Sequence, residues 1–96
     1  MTGKIEENAF RAELAQRGCN EPALVIWEPG RASPEHAHDF TARGLVLEGG
    51  YVLSTATGDR ELGPGDSFEV AAGTPHRETV GALGARILSG RFTTTT

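Results

Sequence analysis

Three histidines carry the chemistry that this sequence offers. Two of them, His36 and His38, stand as His-x-His inside the glycine-bounded stretch 30–50. In an extended strand, residues two apart share a face, with Cα atoms roughly 6.6 Å apart. Two imidazoles so placed can reach one metal ion at about 2.0–2.1 Å from each nitrogen. The third, His76, lies far along the chain and follows a second turn, Ala72-Gly73-Thr74-Pro75. One tight pair and one distant partner suit a metal site inside a small β-barrel. A His-x-His pair on a solvated strand would look the same by itself, so the weight falls on the turn residues that frame all three.

The remaining chain must position those rings. Its 96 residues make one domain. Hydrophobic content is 38%, and 13 glycines and 5 prolines separate short apolar runs, which points to an all-β fold. A net charge of −4 lacks the basic face that nucleic acid or an anionic membrane would need. No apolar run approaches the roughly 20 residues of a spanning helix, and the N-terminus lacks the apolar core of a signal peptide. Cys19 is the single cysteine, so no internal disulfide forms. A cytoplasmic protein is the expectation.

A helix is expected over 6–17, with Asn8 as cap, Phe10 and Leu14 on one face, and Gly18 as its end. With so few apolar positions it should cover an edge or contact a second copy. Strands are expected at 24–28, 44–48, 51–56, 60–62, 67–70, 76–80 and 85–92, with Gly49-Gly50 as a hairpin turn. Seven or eight strands describe a sandwich or barrel. The threonine run 93–96 should fray. Cys19 reads as an inert, half-buried thiol. Trp27, Phe40, Tyr51 and Phe68 read as packing residues. Glu35 and Asp39 have the wrong parity to join the histidines in an ideal strand.

Gly30, His36-Ala37-His38, a polar position at 43 and Gly50 together resemble the first motif of the cupin superfamily. Gly65-Asp66 followed by Ala71-Ala72-Gly73-Thr74-Pro75-His76 resembles the second. The resemblance implies an antiparallel double-stranded β-helix, or jelly-roll barrel, over 23–92, behind a helical lead-in over 1–22 and ahead of a disordered tail at 93–96. It implies His36, His38 and His76 as ligands of a divalent metal (Fe, Zn, Ni or Mn), a small-molecule ligand in the barrel, and a homodimer.

Three positions depart from the family pattern. Its glutamate ligand falls at Arg43, its second-motif proline at Ala71 and its closing asparagine at Val80. A guanidinium is always charged and has no lone pair, so an inward Arg43 would repel an ion. Glu78 shares the parity of His76 and so shares its face. Four arrangements follow: an Arg43–Glu78 pair inside the barrel, Glu78 completing the coordination with Arg43 turned out, Arg43 binding a substrate carboxylate, or Arg43 solvated at the rim. Arg43 and Glu78 are therefore the candidate substrate-binding residues, and no catalytic residue can be assigned. Three histidines leave open positions on a metal, which suits an oxygenase or isomerase acting on a small polar or carboxylate-bearing molecule. The alternatives are a non-catalytic binding or sensor domain, with or without metal, and a metal-free relic whose histidines are merely buried.

Overall fold

A computed structural model describes residues 4–19 and 21–93. It contains α1 (Glu7–Gln16) and five strands: β1 (Ala23–Trp27), β2 (Thr41–Thr55), β3 (Gly58–Leu62), β4 (Ser67–Val70) and β5 (Arg77–Phe92). All pairings are antiparallel. The sheet runs β1-β5-β2-β3, and β4 pairs with β2. Of the threonine run expected to fray, 94–96 lie outside the described residues.

Five strands replace the expected seven or eight because two of them are long. Gly49-Gly50 makes no hairpin: β2 continues through it, and β5 likewise joins 76–80 to 85–92. Register slips between Val46 and Glu48, and again between Gly49 and Tyr51, so the glycines serve as bulge residues instead. Gly49 needs its φ of +86°, and a Cβ there would strike the Gly84 carbonyl.

Strand parity divides the molecule into two cores. Ala42, Gly44 and Val46 of β2 pair with Arg91, Ser89 and Ile87 of β5. This register, with Phe68 and Val70 of β4 and Tyr51 and Leu53 of β2, gives the inner face, whose apolar cluster also holds Leu62, Val80 and Ala85. Gly44 is required there because a Cβ would run into the Phe68 ring. The intervening residues Leu45 and Leu88 face the other way, where Phe10 and Leu14 of α1 cover them.

The helix lies within a residue of its expected bounds but differs in two respects. Glu6, not Asn8, is the N-cap, and its side chain makes no capping hydrogen bond. Phe10 and Leu14 are fully buried, so α1 closes a core of its own rather than merely covering an edge. Burying two such side chains contributes on the order of 1.5–3 kcal/mol each, more than the helix's own propensity could supply. Cys19 is half-buried beside this core.

Candidate metal centre

Segment 31–40, which carries His36 and His38, runs beside the start of β5 without forming a regular strand. It is held by isolated bridges between Ala32 and Thr79 and between His36 and His76. The backbones of His36 and His76 exchange both hydrogen bonds, at 3.0 and 2.9 Å, so residues distant in sequence become direct neighbours. The His-x-His pair thus converges through cross-chain bridging, not through the ideal strand its spacing suggests. Ring centroids lie 4.8 Å apart for His36–His38, 4.3 Å for His36–His76 and 5.2 Å for His38–His76. One ligand atom from each falls within 4.8 Å of the others.

The protonation of two rings follows from their partners. His36 Nδ1 sits 2.7 Å from the Pro34 carbonyl and His76 Nδ1 2.9 Å from that of Thr74. A carbonyl only accepts, so each Nδ1 carries a hydrogen and donates it. In the neutral ring this leaves Nε2 as a bare acceptor. His36 Nε2 nevertheless faces Glu78 Oε1 at 3.3 Å, and His76 Nε2 faces Glu78 Oε2 at 3.9 Å. Acceptors facing acceptors need a positive charge among them, either imidazolium protons or a metal ion.

The donor set fits a divalent metal. It offers three imidazoles and a carboxylate, with backbone carbonyls orienting two rings from behind, the outer-shell arrangement that metal-bound histidines use. Tetrahedral ligands about 2.05 Å from an ion stand about 3.4 Å apart, so ring nitrogens lying within 4.8 Å of one another would have to draw closer together to close on one ion. His38 is held below the usual imidazole range, chiefly by burial and then by its two histidine neighbours, which keeps it in the neutral form that ligation requires.

Glu78 is fixed from two further sides. The Tyr51 hydroxyl donates to its Oε2 at 2.7 Å and the Ser33 hydroxyl to its Oε1 at 3.0 Å. Burial, and then this bond to Glu78, push the Tyr51 phenol far up, so it remains a donor. Tyr51 also stacks on Phe68, with centroids 5.2 Å apart. Sequence reasoning treated Tyr51 as packing and missed its polar end. No local signal pointed to it, because the register that sets Leu53 opposite Glu78, two residues from Tyr51, is decided by the β2–β5 pairing.

Arg43 stands elsewhere. Its odd position on β2 pairs it with Gly90 and Glu69, on the face that α1 covers. Its Nε and Nη2 donate to Glu13 at 2.7 and 3.0 Å, and its guanidinium carbon lies 5.3 Å from the Phe10 ring centroid. The Arg43–Glu78 pair therefore does not form. Arg43 also does not line the cavity beside the histidines, where the adjacent residue Ala42 does. That cavity has a volume of about 120 Å³. Trp27, Phe40, Tyr51 and Phe68 wall it, with His38, His76 and Glu78 at one side and Arg91 at another. Phe40 stacks on His38 at 4.6 Å, nearly parallel.

Comparison with known proteins places this geometry in a family. The chain resembles the structure of KdgF from Halomonas sp. at 20% identity and a TM-score of 0.66, covering 75% of this chain and 66% of that one. It resembles an RmlC-like cupin from Shewanella frigidimarina at 20% identity and a TM-score of 0.68, covering 76% and 65%. The polyketide cyclase RemF from Streptomyces resistomycificus matches at 26% identity and a TM-score of 0.61, covering 74% and 55%. The chain thus spans a little under two thirds of the first two and about half of the third. No match to an individual curated protein sequence was found. The family model described as "Cupin domain" matches residues 23–88, which include all three histidines and more than half of the sequence, and the chain belongs to the cupin family.

Proposed function

We propose that this cupin binds a divalent metal through His36, His38 and His76, in the mouth of a jelly-roll barrel, and takes a small polar or carboxylate-bearing molecule into the adjoining cavity. The observation that carries this reading is the inward convergence of acceptors: two rings spend their Nδ1 hydrogens on backbone carbonyls while their Nε2 atoms face a carboxylate. When bound, the ion supplies Lewis acidity and an open position for an oxygen donor of the ligand, as an isomerase or oxygenase requires. The chain's own part is to hold and orient. The carbonyls of Pro34 and Thr74 fix two tautomers, Tyr51 and Ser33 aim Glu78, and the aromatic walls restrict water. The named cyclase activity of RemF supports reading such a site as catalytic.

Elemental analysis of protein purified without a histidine tag tests the metal. About one divalent ion per chain is expected, and His76→Ala should lose it while remaining folded. Unchanged metal content in that variant would overturn the assignment.

A further inference from the structure

One guanidinium, exposed on its outer side, lines the cavity beside the histidines, and no sequence motif pointed to it. Arg91 stands on β5 opposite Ala42, on the inner face with Ser89 and Ile87. Its across-strand partner is a methyl group, and Ser89 lies opposite Gly44, so this stretch of wall is made of small residues beside one long cation. The Arg91 guanidinium carbon lies 4.6 Å from the Phe40 ring centroid, and Phe40 itself stacks on His38. A single phenyl ring thus links the cation to the histidine cluster.

The contrast with other arginines is instructive. Arg11, Arg17, Arg43 and Arg86 each have a carboxylate oxygen within 4.0 Å. Arg91 has none among the described residues, a lack it shares with Arg31, Arg60 and Arg77, but of these four Arg91 alone lines the cavity beside the histidines. Glu78, the carboxylate of the same cavity, gives its oxygens to Tyr51 and Ser33 and to the histidine side. A guanidinium stacked on an aromatic face keeps its edge donors free, in the planar fork that matches a carboxylate.

We propose that Arg91 captures the carboxylate of the ligand, so that this cavity selects a compact organic acid whose second oxygen donor points toward the histidines. The size fits a small molecule: the cavity of about 120 Å³ is open on one side, so it holds the acid end of a compact ligand beside the histidines. The second oxygen rests on the metal reading above, whereas carboxylate capture does not.

Calorimetric titration with succinate, and with succinamide as its neutral isostere, separates the two. Zinc-loaded protein should bind succinate at least ten-fold more tightly than succinamide. Arg91→Gln should remove that preference with zinc stoichiometry unchanged, and Arg91→Lys should retain part of it. Metal-free protein should bind succinate more weakly, still dependent on Arg91. Failure to bind zinc would sink the metal reading and leave carboxylate capture standing on the metal-free titration. Absence of succinate binding, equal affinity for succinamide, or an unaltered succinate affinity in Arg91→Gln would overturn the proposal.

Discussion

Two polar clusters sit on opposite faces of one sheet, and they are built to opposite rules. On the outer face, Glu13 accepts from Arg43, while Arg17 donates to Glu69 at 2.8 and 3.2 Å. Cations and anions alternate, so the group is complete in itself and ties α1 to β2 and β4. On the inner face, three imidazoles and Glu78 come together, and two of the rings, His36 and His76, direct their Nδ1 hydrogens into the backbone. The first arrangement closes a fold. The second leaves Glu78 facing ring nitrogens, a demand met by imidazolium protons or, on the reading proposed above, by a metal ion, and that demand distinguishes a candidate site from a structural ion cluster.

The largest effect expected from breaking this division is on stability. Phe10→Ala should cost about 3–5 kcal/mol, because a fully buried ring is removed and Arg43 loses the face it lies against. Urea unfolding measures this, and metal stoichiometry in the folded variant should remain that of the wild type. If the metal were lost in parallel, the two faces would not be independent. Arg43→Glu sharpens the same point at about 1–3 kcal/mol, by setting a third carboxylate among Glu13 and Glu69. Metal affinity should not change, although the family motif would expect it to rise with a glutamate at that position. A rise would mean that residue 43 turns inward when it is not an arginine.

Why the sequence was legible at the histidines and not at Arg43 has a physical answer. Motif spacing singled out His36, His38 and His76, since turn residues frame them and they are the only three histidines in the chain. The face of Arg43 depends on the β2–β4 and β2–β5 register, which local pattern does not report, and its partner Glu13 lies on the helix, 30 residues away. The same applies to Arg91, whose place in the cavity follows from its pairing with Ala42. Phe10 and Leu14 were readable as a helical face, but not the depth of their burial, because the leucines they meet come from β2 and β5. Gly49-Gly50 carried a true turn signal, and the extended pairing of β2 with β5 overrode it. The closed, apolar and periodic parts of this chain could be read, whereas features decided by register could not.

The smallest effect separates the clusters by pH. Glu13 is held below its usual carboxylate value chiefly by the hydrogen bond from Arg43, and Glu69 chiefly by that from Arg17. A carboxylate lowered on folding favours the native state wherever the unfolded chain would already be ionised. Its contribution is therefore complete above about pH 5, and it is lost as pH falls through the unfolded value near 4.3 toward the lower native one. Melting temperature of the metal-free protein should thus decline below about pH 5, and Glu13→Gln should flatten part of that decline while lowering the plateau above it. Metal retention in the wild type should fall on a curve of its own as pH drops, because protons compete directly for the ligand nitrogens. Coincident loss of metal and of stability in the carboxylate range would mean that one ionic cluster, rather than two, controls the molecule.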